Sequence, residues 1–334
     1  MSASPGLTAE TIGFDRLSEI LSQEGDRFSR PAIFDLPPWL ESWWSCLAGR
    51  GKLLILAVME SREIIGLAPL MVRDSGALFI GEPDLCDHHD FIISPGREEA
   101  FFPTLLAELD RRGLDRLGLH GLRPDSLALT HLPGLAQGRG LEVRVEKSGV
   151  SLETGLPGEW EDFLAGLTSK HRHEIRRKMR RLDRAGQVGF TRAHGPDQAG
   201  PALEVFLDLF RRSRADKERF LTPEREAFFR TVVPAMARAG HLSLFTLSLD
   251  SRPAASALCF DLGRTRLLYN NGYDSGFKAL SAGTMCKVLS LKEAVERGLQ
   301  CYDFLNGAEP YKRRLGGREK DLFRCTVFFG PRRD

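Results

Sequence analysis

The chain has 334 residues and a nearly balanced charge, with 47 lysines and arginines against 45 acidic residues. Hydrophobic residues make up 42% and charged residues 28%, which excludes a mostly disordered chain. The longest unbroken apolar run, residues 53–59, is far shorter than the about 20 residues of a membrane-spanning helix, and the net charge of +2 does not by itself indicate a polyanionic partner.

The first residues and the cysteines indicate a cytoplasmic protein. The N-terminus has neither the basic start nor the apolar centre of a secretory signal. The 6 cysteines are scattered without a CxxC pair, as expected of reduced thiols. We therefore expect a cytoplasmic chain, and peripheral attachment to the inner membrane stays open.

In chain order, the residue pattern predicts helices interleaved with antiparallel strands. Residues 1–30 are polar and weakly patterned, which indicates a tail or a first small element. A helix is predicted at 38–48, and two strands at 52–59 and 64–72 form a hairpin. Further short strands are predicted at 78–80, 91–93, 114–119 and 141–145, and a second helix at 100–112. The second half is predicted to contain helices at 160–167, 170–184, 201–214, 223–239, 283–298 and 310–315, and strands at 188–192, 242–249, 253–262, 265–271, 301–305 and 325–329.

The same order of elements thus occurs twice, on either side of a Gly-rich segment at 149–158. This pattern is typical of an α+β fold. We predict an N-terminal tail (1–30), a first domain (31–150) and a second domain (151–334).

The stretch from Tyr269 onward carries most of the chemical information. A strand leads through a loop to Ser281-Ala282-Gly283-Thr284, which starts a helix, and Lys278 lies just before it. Small residues at a helix start allow phosphate oxygens to reach free backbone N–H groups. The alternative is an ordinary helix cap.

The next strand, 301–305, ends in a polar cluster that runs from Asn306 to Arg314. Polar groups at the end of a strand often mark a ligand crevice. Asp303 lies inside this otherwise apolar strand, so a buried carboxylate there needs a partner or a raised pKa. Catalysis and the capping of the following turn are both open for Asp303.

These motifs together resemble the GNAT acyltransferase superfamily. The resemblance is carried by Tyr269-x-x-Gly272-x-Asp274, by Ser281-x-Gly283, and by Asp303-Phe304-Leu305-x-Gly307-x-Glu309-x-Tyr311-Lys312. It is closest to the CelD-type and Fem-related branch of bacterial envelope and exopolysaccharide gene sets, which is built from two GNAT-like units. The first half is similar to that branch at Trp39, Trp43, Ala68-Pro69-Leu70 and Asp87-x-x-Asp90.

The resemblance implies two GNAT-like domains with mixed, mainly antiparallel sheets, the second of them catalytic. It implies acyl-CoA (acetyl-CoA or longer) as co-substrate, no metal, a pantetheine arm between strands 267–271 and 301–305, and Tyr311 as general acid. The implied pyrophosphate turn is Lys278, Ser281, Ala282, Gly283 and Thr284. Candidate bases for the acceptor amine are Asp303, Glu309 and Asp274, and the implied substrate-pocket residues are Tyr269, Asn271, Tyr273, Asn306, Lys312, Asp87 and Asp90.

We therefore expect transfer of an acyl group to an amine of an envelope, polysaccharide or lipid precursor, by direct attack in a ternary complex. Three alternatives stay open: a Fem-type ligase that uses aminoacyl-tRNA, N-acylation of a long-chain, sphingoid-type lipid amine, and a non-catalytic component of a polysaccharide system.

Two further clusters of charged residues have more than one interpretation. Residues 170–184 contain eight lysines and arginines against two acids. This excess predicts a surface for an anionic membrane or tRNA, and a solvated helix is the alternative. The surface comprises Lys170, Arg172, Arg176, Arg177, Arg180 and Arg181. The loop 84–90 is rich in Asp and His, but adjacent ligands suit one metal ion poorly, so a substrate-pocket loop is favoured.

Overall fold

The computed structural model describes residues 6–29 and 31–330. It divides into two compact units, the first reaching Gly149 and taking in the residues from Asp321 onward, the second formed by Val150–Lys320. The strands are β1 (Leu7–Ile12), β2 (Lys52–Glu60), β3 (Glu63–Arg73), β4 (Gly76–Phe79), β5 (Ile92–Ile93), β6 (Arg116–Leu122), β7 (Glu142–Gly155), β8 (Val188–Ala193), β9 (Leu242–Leu249), β10 (Arg252–Leu262), β11 (Thr265–Tyr273), β12 (Cys301–Asn306) and β13 (Arg318–Phe328). The helices are α1 (Phe14–Glu24), α2 (Pro37–Leu47), α3 (Glu98–Arg111), α4 (Leu127–Gly138), α5 (Trp160–Gly166), α6 (Ser169–Asp183), α7 (Pro196–Ser213), α8 (Ala215–Phe220), α9 (Pro223–Arg238), α10 (Ala282–Glu296) and α11 (Pro310–Arg314).

The first unit is built on a sheet with the strand order β1-β2-β3-β4-β6-β13. Its pairs are antiparallel except for β4 with β6. The β2–β3 hairpin closes at Ser61 and Arg62, whose positive φ angles of 49° and 77° match the two-residue turn that a twisted hairpin favours. Helix α3 places Phe101, Phe102 and Leu105 in the core of this unit.

The second unit is built on a sheet with the strand order β7-β12-β11-β10-β9-β8. Only β11 with β12 is parallel among these described pairs. Alternate residues of β10, Ala255, Ala257 and Cys259, share a core with Met285 and Leu291 of α10, because successive strand residues point to opposite faces. The predicted α+β class, with mixed and mainly antiparallel sheets flanked by helices, is confirmed.

The structure corrects three predictions of organisation. The predicted tail contains β1, which pairs along its length with β2, and α1, which buries Leu17 and Ile20; residues 1–5 and 30 lie outside the described residues. Helix α4, which contains Pro133, lies in a stretch between 119 and 141 for which we predicted no element. The strand β13 pairs with β6, so the predicted domain 151–334 ends earlier and its last strand joins the first unit. Within the described ranges, no helix has the length and apolar character that a membrane crossing requires.

Candidate functional site

Strands β11 and β12 of the second unit part from each other after a short paired stretch. Their parallel register runs only from Thr265↔Cys301 to Leu267↔Asp303. Just beyond it, the pairing of β11 with β10 skips Tyr269, which marks a bulge. The two strands therefore diverge in the region where the resemblance implies a pantetheine arm.

Asp303 closes the paired stretch and supports the backbone that follows it. Its side chain is 3% exposed, and its Oδ1 accepts a hydrogen bond of 2.7 Å from the Leu305 N–H. Leu305 has a φ of 60°, which is costly for a bulky residue. The Asp303 carboxylate thus stabilises the left-handed residue at the end of β12, which agrees with the capping alternative.

Lys312 holds the loop after β12 together. Its Nζ donates to the carbonyl oxygens of Leu305 and Gly307 at 3.1 Å and to that of Asn306, and it pairs with Glu309 Oε2 at 2.9 Å. Lys312 is 1% exposed, whereas the Glu309 side chain is 53% exposed. The ammonium group of Lys312 is therefore fully provided with acceptors, and Glu309 lies at the surface with access to solvent.

A small cleft brings three predicted features of the second unit together. It contains Tyr311, the predicted acid, and Thr284, from the predicted phosphate turn. The remaining lining residues are His171, Glu174, Ile175, Lys178, Arg314 and Leu315. Residues 171, 174, 175 and 178 form one face of α6, so the basic helix forms one wall of the cleft.

Helix α6, which forms one wall of the cleft, also contacts the turn before α10 directly. Arg181 Nη1 of α6 donates to the Ala279 carbonyl at 2.9 Å, and Ala279 lies in the 3₁₀ turn Ser275–Leu280 that precedes α10. Asp274, a candidate base, caps this turn by accepting from the Gly276 N–H at 2.7 Å. The structure therefore shows Asp274 in a capping role.

The start of α10 differs from the prediction in detail. Ser281 precedes α10 in a left-handed conformation, with φ 55° and ψ 39°. A Cβ added at Gly283 would lie 2.9 Å from Tyr273 Cδ1, so Gly283 is required for packing against the Tyr273 ring, a reason that we did not predict. Of the predicted turn, Thr284 lines the cleft, whereas Ala282 is buried and Lys278 is exposed.

The residues of the cleft suit a phosphate-bearing ligand. His171, Lys178 and Arg314 supply cationic or ionisable groups, and Glu174 is the one carboxylate among the lining residues. Glu174 is paired with Lys178 at 2.8 Å. Tyr311 is mostly buried, and burial followed by the charge of Glu309 raises its pKa above the ordinary value. Its hydroxyl therefore keeps its proton at neutral pH, as a general acid requires.

The other predicted surface cations of α6 have mixed surroundings. Arg176 pairs with Glu161 of α5, and Arg172 donates to the Ala165 carbonyl at 3.2 Å. Lys170, Arg177 and Arg180 are exposed. Part of the predicted charge excess is thus taken up by neighbouring helices, and the anionic partner stays a prediction.

The predicted pocket residues of β11 and β12 lie along the opening between these strands. The Tyr269 ring packs 5.6 Å from the Phe260 ring. The Asn271 carbonyl accepts from Lys217, the Tyr273 ring meets Gly283, and Asn306 is exposed at the end of β12.

The loop 84–90 belongs to the first unit. We predicted a substrate pocket there, and the structure shows Asp90 and Asp87 in structural contacts. The Asp90 carboxylate accepts from the N–H groups of Leu127 at 2.6 Å and of Ala128 and Phe91 at 2.9 Å, so it caps α4. Burial raises the pKa of Asp90 to about 6 despite these bonds. The carbonyl of Asp87 would lie 2.7 Å from a Cβ at Gly121, which ties this loop to β6.

The same loop contributes a buried contact between a histidine and a carboxylate. His89 Nδ1 lies 2.6 Å from Asp35 Oδ1, and both side chains are buried. No group of three His, Cys, Asp or Glu side chains within residues 6–29 and 31–330 is arranged to hold a metal ion.

Two lysines at the site were missed by the sequence analysis. Lys287 lies in the middle of α10 and is 6% exposed, and its Nζ lies 4.2 Å from the centre of the Tyr311 ring. Lys217 of α8 lies 4.7 Å over the Phe210 ring and donates to the Asn271 carbonyl. A signal existed for Lys287, because it interrupts the apolar run Met285-Cys286-Lys287-Val288-Leu289.

Comparison with known proteins assigns this region. Residues 169–313 match the acetyltransferase (GNAT) domain family, whereas no curated protein gives a significant sequence match. The structure is similar to FemX, with a TM-score of 0.63 and 13% identity over 95% of this chain and 96% of that one. It is also similar to a tandem GNAT protein from the clavulanic acid biosynthesis pathway (0.53, 13%, over 98% and 99%). A third similar structure is the C-terminal domain of a putative lysylphosphatidylglycerol synthetase from Agrobacterium fabrum (0.54, 11%, over 80% and 81%).

At these identities the solved structures establish the fold, and the family match concerns the second unit. The match covers the cleft face of α6, the parted strands, the start of α10 and the segment up to Arg313. The resemblance stated from the sequence is thereby confirmed. Residues 169–313 of the second unit thus match the acetyltransferase (GNAT) domain family, and over nearly its whole length the chain shares the fold of FemX and of a tandem GNAT protein.

Proposed function

We propose that the second unit transfers an acyl group from acyl-CoA to a primary amine by direct attack in a ternary complex. The observation that carries the proposal is the cleft in which Tyr311 and Thr284 lie together, beside the parted strands of a GNAT domain. Thioester aminolysis needs an oriented acceptor, removal of one proton from the amine and return of one proton to the leaving thiolate. No covalent enzyme intermediate is required.

The side chains can be given roles on this basis. Tyr311 is the proton donor, because it is buried and neutral and lines the cleft. His171, Lys178 and Arg314 hold the phosphates of the CoA moiety. Of the three candidate bases, Asp303 and Asp274 both accept hydrogen bonds from backbone N–H groups, and Glu309 has the exposed carboxylate. We therefore favour Glu309 as the base, acting directly or through water.

Thermal shift tests the donor class with CoA, acetyl-CoA, a long-chain acyl-CoA and ADP as control nucleotide. A ligand present at 100 times its Kd adds about 2.7 kcal/mol to the stability of the native state, which corresponds to roughly 5–10 °C for a domain of the size of the second unit. We expect this shift with the CoA species, and a preference for one chain length would indicate the acyl group. No shift with any CoA species would contradict the proposal.

Matched variants locate the binding site. Lys178→Gln and Arg314→Gln remove cations from the cleft lining and should abolish most of the shift. Arg180→Gln is the control, since it makes the same charge change on α6 about half a turn away from Lys178 and at an exposed position. Equal shifts in all three variants would place the CoA phosphates elsewhere.

A second variant tests the chemistry apart from binding. Tyr311→Phe keeps the ring beneath Lys287 and removes only the hydroxyl. We expect kcat to fall by about 10²-fold or more, with the CoA-induced shift unchanged. Unchanged kcat would exclude Tyr311 as the acid.

Transfer from an aminoacyl-tRNA is a second candidate, favoured by the basic helix α6 and by the likeness to FemX. It predicts binding of tRNA that weakens steeply as salt rises. Replacement of Arg177 and Arg180 by Gln should then reduce tRNA binding, and it should leave any CoA-induced shift intact.

A further inference from the structure

Three lysines of the second unit converge on the opening between β11 and β12. Lys217 donates to the Asn271 carbonyl on the β11 side, and Lys312 donates to carbonyls at the end of β12. Lys287 lies over the Tyr311 ring. The charge of Lys287 acts on Lys217, and that of Lys312 acts on Lys287, so Lys287 is within electrostatic range of both other lysines.

The lysines differ sharply in their acceptors. Lys312 has three backbone carbonyls and Glu309. Lys217 has the Asn271 carbonyl and a distant contact of 3.5 Å with Asn270 Oδ1. For Lys287, no hydrogen-bond acceptor is found in the part of the chain that the structure describes, and the face of the Tyr311 ring is the contact of its ammonium group.

The surrounding charges do not balance these cations. Besides Lys312, the groups that act on Lys287 are Glu309, already bonded to Lys312, and the buried thiols of Cys286 and Cys259. Lys217 also faces Arg214. The carboxylates that act on it are Glu309 and Asp216, and Asp216 is held by Nε and Nη2 of that arginine. The largely buried ammonium groups thus outnumber the free carboxylates around them, which is costly unless a ligand supplies the missing anion.

The position of this excess charge connects it with the proposed reaction. Thr284 precedes Lys287 by one turn of α10 and lines the cleft, and Tyr311, beneath Lys287, lines it too. An anion bound by Lys287 and Lys217 would lie next to the proposed proton donor. A structural lysine would have acceptors such as those of Lys312, and Lys287 has none of this kind.

From this arrangement we propose that Lys287 and Lys217 form a subsite for a carboxylate group of the substrate, next to the acyl group that is transferred. The inference rests on the proposed function. The carboxylate comes either from the donor, as the far end of a dicarboxylic acyl chain, or from the acceptor, as the carboxylate of an amino-acid-like amine. Both sources present the same group to the same two ammonium ions.

Binding pairs that differ only in the carboxylate test the subsite. Succinyl-CoA is compared with butyryl-CoA for the donor, and glycine with glycinamide for the acceptor, by calorimetry on the full chain. We expect the carboxylate-bearing member of one pair to bind about tenfold or more tightly than its partner, since charge-assisted hydrogen bonds are the strong ones. The pair that shows the preference identifies the source.

Variants connect the preference to the lysines. Lys287→Met and Lys217→Met should each reduce the preference to within about twofold while keeping affinity for butyryl-CoA. Lys292→Met is the control on the same helix, because Lys292 lies at the surface beside Glu296. The preference should persist in this control.

Proton uptake gives a second readout that a purely structural role would not produce. Burial lowers the pKa of Lys217 to about 7 and that of Lys287 to about 8, so both ammonium groups are partly deprotonated at pH 8. Binding of a carboxylate should raise both pKa values, and calorimetry at pH 8 in buffers of different ionisation enthalpy should show uptake of protons that falls in Lys287→Met.

The outcomes separate the two proposals. No preference in either pair, or a preference that survives in both lysine variants, overturns the carboxylate subsite. Equal binding of butyryl-CoA and succinyl-CoA with no glycine preference leaves the proposed acyl transfer intact. Failure of every CoA species to bind contradicts the proposed function, and a glycine preference that is lost in Lys287→Met would still support the subsite.

Discussion

Two buried cationic sites of the second unit have opposite surroundings. Arg266 of β11 is 0% exposed and donates to both carboxylate oxygens of Asp261, at 2.7 and 2.9 Å, and to the Ser290 carbonyl at 2.8 Å. It also pairs with Glu293. Lys287, which is 6% exposed, has a ring face and excess positive charge around it. The same strand and the same helix contribute to both sites.

The difference separates a structural charge from a functional one. Burial alone would raise the pKa of Asp261, but Arg266 offsets this, and the pKa lies below its ordinary value. The carboxylate and the guanidinium thus satisfy each other inside the protein. At Lys287 burial lowers the pKa to about 8, and the opposing charge of Glu309 offsets this only in part, which is the pattern found at binding and catalytic sites.

The largest effect is expected when Arg266 is removed from its carboxylate partners. Arg266→Met should lower the free energy of unfolding by about 3–5 kcal/mol, because Asp261 and Glu293 lose the cation that compensates their burial. Chemical denaturation at pH 7 measures the loss. Arg264→Met is the control at an exposed position two residues away; a loss of similar size there, or none in Arg266→Met, would contradict the assignment.

Removal of the unsatisfied cation should have the opposite sign. Lys287→Met should raise the free energy of unfolding at pH 7 by up to about 3 kcal/mol, since the pKa of Lys287 is lowered from 10.5 to about 8. Between these two pH values the unfolded chain binds a proton that the folded chain does not, so wild-type stability rises with pH there. The gain of the variant should therefore be full below pH 8 and small above pH 10.5.

Denaturation curves of the wild type and Lys287→Met at pH 7 and pH 10 provide the measurement. The gain should be clearly smaller at pH 10. A variant less stable than the wild type at pH 7 would show that Lys287 has a structural role, as Arg266 has.

A third change perturbs the surroundings of Lys217 through the backbone of β11. A Cβ at Gly272 would lie 2.4 Å from Phe210 N and 2.6 Å from Leu209 C, and these backbone atoms cannot move aside singly. Gly272→Ala should force β11 and α7 apart, at a cost of about 1–3 kcal/mol. Because Lys217 bonds the neighbouring Asn271 and covers Phe210, any carboxylate preference should weaken as well.

Gly189→Ala is the matched control for that change. The nearest atom to its added Cβ, Ser248 Cβ, is at an ordinary 3.7 Å. Thermal denaturation should show little or no loss there, and similar losses in both variants would contradict the packing argument.

The smallest effect concerns the wall of the cleft. Thr168 accepts from the His171 N–H at 3.3 Å and caps α6. Thr168→Ala should lower the free energy of unfolding by about 1 kcal/mol. Thr231→Ala within α9 is the control, since its hydroxyl bonds a carbonyl that the helix already uses and removal of that bond should cost little. A larger loss in the control would exclude capping as the reason.

Much of the site could be predicted because its residues are close in sequence. Ten consecutive positions contain Asp303, Glu309, Tyr311 and Lys312, and the strand followed by a polar loop is visible in the residue pattern. The roles were harder to predict. Gly283 faces the Tyr273 ring, Asp274 caps a turn and Asp90 caps a helix, and each role depends on an atom that the pattern does not locate.

The sequence alone determined the α+β class and the stretch that contains the cleft, because alternating and helical periodicities report which residues avoid water. The tertiary structure alone decided that the cationic face of α6 lies beside Thr284 and Tyr311, that Arg266 is satisfied, and that Lys287 is not. Along the chain, Lys217 lies 70 positions before Lys287, and Lys287 lies 25 positions before Lys312. Their common environment depends on how α8, α10 and α11 pack around the parted strands, and no local pattern encodes the partners that a buried charge will find there.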